Sequence, residues 1–150
     1  MWPDTHKQVD LELGLLRKLM DFFRPLLDKA QGAEPEPLEL PALASYLHSF
    51  YTGVENVFKQ IATDMDSSLP SGVNSHINLL GQMARGTDRR PPVISEELRR
   101  RLRDYMDFRH VFRHAYTFEL KWRKMSDLVL RCEETLDRLQ AELETFFYAE

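Results

Sequence analysis

The chain has 150 residues, 43% of them hydrophobic and 29% charged, with a formal charge of −4. These values are ordinary for a globular protein and suit one domain spanning residues 1–150. A single cysteine, Cys132, excludes an internal disulfide and a Cys-rich zinc site. No run approaches the ~18 apolar residues that a membrane span needs. Asp4, Asp10 and Glu12 sit among the first apolar residues, which is wrong for a signal peptide, so a cytoplasmic protein without membrane partners is expected.

Five segments read as helices. In the first, Val9, Leu13, Leu16, Met20, Phe23 and Leu27 advance by alternating steps of four and three, which lines one helical face. Pro25 marks a kink or a stop near its end. A flexible acidic loop with Gly32, Pro35, Pro37 and three glutamates is expected at about 28–40. Pro41 suits the first turn of a second helix, whose stripe is Leu43, Leu47, Phe50, Val54, Val57 and Ile61. Loop residues at 66–72 precede a short third helix over about 74–83. A further loop runs over 86–92, and Ser95 is the expected N-cap of a fourth helix, with Glu96 and Glu97 in its first turn.

The fourth helix carries Leu98, Leu102, Tyr105, Arg109, Phe112 and Tyr116 on one stripe. The fifth is the most regular, with Trp122, Met125, Val129, Cys132, Leu136, Leu139, Leu143 and Phe146 in unbroken three-four steps. No segment alternates with period two for long. The pattern predicts an all-α, antiparallel bundle of four to five helices, whose wide Phe- and Tyr-rich faces also suit a homodimer. Cys132 reads as core. Trp122 and the Phe146-Phe147-Tyr148 cluster read as core or dimer contact.

Charge is unevenly spread. Residues 85–113 hold nine arginines and no lysine against five acids, a net +4, which leaves −8 on the remainder. Arginine's planar fork matches phosphate oxygens two at a time. The plain alternative is a solvated helix face laced with ion pairs. Arg109 stands out because it interrupts an apolar stripe, and a buried charge needs a partner, water or a ligand. It opens the run Arg109-His110-Val111-Phe112-Arg113-His114-Ala115-Tyr116.

RNA cleavage without a metal needs a base for the 2′-hydroxyl, an acid for the leaving 5′-oxygen and a fixed cation for the phosphorane. Histidine supplies the first two and arginine the third. Arg109 and His114 are of these types, although five residues subtend about 140° on a helix and so do not share a face. A site forms if long side chains converge at a groove, or if two protomers meet.

The string Arg109-x4-His114-x-Tyr116 resembles the R-x4-H-x-Y motif of HepT toxins, in the HEPN superfamily of ribonucleases. The resemblance extends through Tyr51-x3-Glu55-Asn56-x-Phe58-Lys59 and His76-x2-Leu79-Leu80, and spans the chain from about Leu43 onward. It implies a homodimeric all-α bundle with a shared cleft. It also implies a metal-independent endoribonuclease toxin using Arg109 and His114 and needing no cofactor. The implied partner is a nucleotidyltransferase antitoxin (MntA-type) that silences the toxin by AMPylating Tyr116. His110 stands where many relatives have Asn, so either histidine remains open as acid or base. His110, Arg113, Arg99, Arg100 and Arg103 are auxiliary RNA-binding candidates.

Several plain alternatives stand beside this reading. Arg109 and His114 form a structural ion pair with Asp104 or Asp107; Tyr116 packs in the stripe with its hydroxyl at the edge; His76 is a capping or packing residue. A metal pair at His110 and His114 is rejected, because no accompanying glutamate completes a known ligand pattern. At the level of function, the alternative is a non-catalytic module that binds a nucleotidyltransferase, RNA or nucleotide.

Overall fold

The computed structural model describes residues 2–148. Six helices follow one another: α1 (Pro3–Gly32), α2 (Leu40–Ile61), α3 (Ser75–Met83), α4 (Glu96–His114), α5 (Trp122–Leu130) and α6 (Cys132–Tyr148). No strand occurs among the described residues, in agreement with the all-α reading. No helix among them is long and apolar enough to cross a membrane.

The second helix is the axis of the bundle. Its expected stripe is buried, and so are Tyr46, Tyr51 and Phe58 on other faces, as befits a helix enclosed by neighbours. α1 lies antiparallel to it. Thr5 Oγ1 donates to Asp64 at 2.8 Å beyond the end of α2, and Asn56 donates to Glu12 at 3.0 Å. Gly53 permits the close approach, since a Cβ there would lie 2.4 Å from Leu16 Cδ2. α6 runs antiparallel to both α1 and α4. Arg17 pairs with Asp137 at 2.8 Å and Arg24 with Glu133 at 2.9 Å. Ser95 caps α4 by accepting the Leu98 amide, while its own amide and hydroxyl donate to Glu142 of α6.

Three boundaries differ from expectation. α1 continues through Pro25 to Gly32. Asp21, whose carbonyl loses a donor to the proline, and Pro25 itself are both exposed, so water can satisfy the carbonyl. The acidic loop expected at 28–40 therefore shrinks, and Pro37–Glu39 form one helical turn held by a Lys29–Glu39 pair at 2.9 Å. The single fifth helix is two, broken at Arg131 (φ −102°, ψ 5°). Tyr105 of α4 donates to the Leu128 carbonyl at 2.7 Å, and Thr135 Oγ1 donates back to the Arg131 carbonyl at 2.8 Å. Side chains inserted into the backbone ladder bend a helix in this way. The stripe survives the break: Met125, Val129, Cys132, Leu136, Leu139, Leu143 and Phe146 are all buried. Burial pushes the Cys132 thiol well above its ordinary value, as expected of a core cysteine. Trp122 and Phe147 are half-buried, Phe147 stacking on His6 at 4.5 Å, and Tyr148 is exposed.

The link between α2 and α4 is organised by Arg90. The end of α2 widens into a π turn at Ala62–Asp66, which presents Asp66 inward. Arg90 Nε and Nη2 donate to its two oxygens at 2.7 Å each, and the remaining donors reach the carbonyls of Arg85, Pro91 and Gln82. Arg90 was one of the nine arginines of the basic stretch; here it is a buried structural cation.

Candidate functional site

On α2, Tyr51, Glu55 and Phe58 form a second stripe in steps of four and three, broken by the carboxylate. On α4, Tyr105, Arg109 and Phe112 repeat the same steps, broken by the guanidinium. The two interruptions meet. Arg109 Nη2 donates to Glu55 Oε1 at 3.1 Å and Oε2 at 3.2 Å, and both side chains are nearly inaccessible, 7% and 4% exposed. Arg109 Nη1 donates to Thr52 Oγ1 at 3.4 Å, and its Cζ stands 5.0 Å from the centre of the Tyr51 ring. Packing this close against a ring and a carboxylate leaves the guanidinium fixed in place.

A third group comes from the first turn of α3. His76 Nδ1 lies 2.7 Å from Glu55 Oε2. That distance to an acceptor-only carboxylate assigns the proton to Nδ1, which donates. Arg109 Nη2 stands 3.2 Å from the same nitrogen because both grip one carboxylate. Lys59 Nζ approaches Glu55 Oε1 at 3.8 Å. One buried negative charge thus faces two permanent cations and a histidine.

Two members of this cluster, His76 and Arg109, open onto a groove of about 500 Å³ between α3 and α4. His76, Arg109, His110 and Arg113 line it, with Val73 and Val111 as exposed apolar rims. His48, on the α2 side, packs edge-on against Phe112 at 5.8 Å. Burial, then the charges of Arg109 and Arg113, hold its imidazole below the usual value, a local sign of positive potential.

The predicted residues are distributed as follows. Arg109 is buried, but its partner is Glu55 and not Asp104 or Asp107. His110 lines the groove; His114, the last residue of α4, is exposed and stands ring to ring with His110 at 4.7 Å. Arg113 is exposed on the groove wall, with no ion pair among the described residues. Arg103 lines the groove while pairing with Asp107 at 2.9 Å. Arg99 and Arg100 turn to Glu96 near the start of α4, outside the groove lining. Tyr116 is off the α4 stripe altogether: the helix ends at His114, and Tyr116, 71% exposed, starts a short turn and stacks on Phe118 at 5.4 Å.

Residue type and spacing give no role to Glu55, Thr52 or His48, and read His76 as a capping or packing residue. The available signal was the charge interrupting Tyr51 and Phe58, the mirror of the Arg109 argument. Among the described residues, no group of three or more His, Cys, Asp or Glu side chains is arranged to hold a metal ion.

Residues 42–149 match the model of a family of HepT-like proteins. The chain belongs to the HepT-like family of the HEPN superfamily. No curated protein and no solved structure matches it. HepT-like proteins are toxins of toxin–antitoxin systems. The matched segment contains α2, α3 and α4, and so every residue of the groove.

Proposed function

We propose that this HepT-like chain is the toxin of a toxin–antitoxin pair and a metal-independent endoribonuclease acting in the cytoplasm. The observation that carries the reading is the groove lining, where Arg103, Arg109 and Arg113 stand with His110 against the one lining carboxylate, Asp107, while Glu55 lies buried behind Arg109. Such an excess of fixed cations receives a phosphodiester and then the additional charge of a phosphorane. Arg109 supplies that field. His114 and His110, side by side at the end of α4, supply imidazole for proton transfer in this step. The products are a 2′,3′-cyclic phosphate and a 5′-hydroxyl. Val73 and Val111 offer apolar contact for a second protomer, which places two grooves in one cleft. Arg99, Arg100 and Arg103 extend the cationic surface, their exposed ion pairs being weak enough to exchange for phosphate.

Cleavage of RNA should be lost in His114→Ala while thermal stability is retained, because His114 is exposed and contributes little packing. Undiminished cleavage by this variant would contradict the assignment.

Silencing falls to Tyr116. Its exposed hydroxyl is open to a nucleotidyltransferase: the phenol oxygen attacks the α-phosphorus of ATP, pyrophosphate leaves, and AMP remains beside the end of α4. The added charge and bulk repel and block RNA. Co-expression with the cognate nucleotidyltransferase should add AMP-sized increments to the intact mass of wild type and none to Tyr116→Phe; an unmodified wild-type protein would refute this step.

A further inference from the structure

The proton acceptor of the groove need not come from α4. We propose that His76 is a general base of this site and Glu55 its positioning residue; the inference rests on the ribonuclease reading above and deepens it. Three observations combine. The Nδ1–H of His76 is taken by a carboxylate at 2.7 Å whose side chain is only 4% exposed. The His76 ring itself is 43% exposed and lines the groove. Its Nε2 has no partner among the described residues, so the lone pair on the far side of the ring is available. A carboxylate that holds Nδ1–H fixes the tautomer and the ring plane, and it stabilises the imidazolium formed when Nε2 takes a proton. The geometry is that of a carboxylate–imidazole pair, with a fixed guanidinium beside it.

The step balances as follows. Nε2 of His76 takes the 2′-hydroxyl proton, and the bond from O2′ to phosphorus forms. The P–O5′ bond breaks, its electron pair stays on O5′, and an imidazolium of α4 protonates it. His76 ends protonated and the α4 histidine neutral, so base and acid come from two different helices, α3 and α4. From α2, His76 faces Glu55 and, beyond it, Lys59. From α4 it faces Arg109, His110, Arg113 and the Arg103–Asp107 pair.

The test is the rate of cutting of a synthetic RNA oligonucleotide by wild type, His76→Asn, His76→Gln and His114→Ala between pH 5 and pH 9, with RNA affinity measured alongside. The amide nitrogen of Asn replaces Nδ1 and keeps the Glu55 hydrogen bond, but places no base at Nε2. His76→Asn should therefore fold and bind RNA as wild type does, yet cut about 100-fold more slowly or worse and lose one limb of the pH–rate profile. Wild-type-like cutting by His76→Asn, with both limbs intact, would overturn the role of His76 and leave the ribonuclease reading standing. Rescue by Asn with loss only in His76→Gln would likewise reduce His76 to a structural residue. A wild type that cuts no RNA overturns both.

Discussion

Glu55→Ala is expected to destabilise the fold by about 3–5 kcal/mol, because it leaves the Arg109 guanidinium buried without a counter-charge, with Thr52, the Tyr51 ring and the His76 imidazole as its remaining partners. At this chain length that corresponds to a fall in Tm of roughly 6–20 °C. Arg109→Ala should fall at the lower end of the same range, since Glu55 keeps His76 and Lys59. The double variant should lose less than the two single losses combined, the mark of a direct interaction. Thermal or denaturant unfolding of the three variants decides it; equal, small and additive losses would show that the pair is not a buried ion pair. Both single variants should also fail to cut RNA, so comparison with the exposed His114→Ala separates loss of fold from loss of chemistry.

The second large effect belongs to Arg90. Arg90→Ala removes five hydrogen bonds and leaves the Asp66 carboxylate with Gln82, which should destabilise the protein by about 3–5 kcal/mol. Arg90→Lys should rescue little, because a point charge cannot replace a two-pronged fork. The pair also sets acid sensitivity. Burial pushes the Asp66 carboxyl up, but the hydrogen bonds from Arg90 and Gln82 and the charges of Arg90 and Arg89 outweigh it, so its folded value lies below the ordinary 3.8. A depressed carboxylate stabilises the fold fully above its unfolded value, and that contribution disappears as pH falls through the folded one. Wild type should therefore lose stability below about pH 3.8, a loss that Arg90→Ala has already largely suffered at neutral pH. Parallel unfolding curves for the two proteins from pH 7 to pH 2 would contradict this.

Much of the architecture was legible because helical burial repeats every three to four residues. The stripes of α1, α2 and α4 through Phe112 follow from that periodicity, and the Ser95 cap from a serine followed by two glutamates at a helix start. What periodicity does not contain is the action of one helix on another. The break between α5 and α6 is made by Tyr105, a residue of α4, and leaves the apolar stripe untouched. Pro25 does not stop α1 because it faces water, which the sequence around it does not reveal. At the site, Arg109 was visible as an intruder in an apolar stripe. The acids nearest in sequence, Asp104 and Asp107, lie on its own helix, but the matching intruder, Glu55, sits on α2. His76 is hidden for the same reason, since the carboxylate it meets lies 21 residues earlier. The arginine-rich stretch is a real compositional feature that the fold disperses: Arg90 is a buried structural residue, Arg99, Arg100 and Arg101 make surface ion pairs, and Arg103, Arg109 and Arg113 line the groove.

By the function proposed above, this protein cuts RNA by 2′-hydroxyl attack without a metal. Its most direct test is incubation of the purified protein with total RNA in excess chelator, followed by mapping of the new ends. The account predicts 5′-hydroxyl and 2′,3′-cyclic phosphate termini that disappear in His114→Ala. Intact RNA at every enzyme concentration, or 5′-phosphate termini, would contradict it.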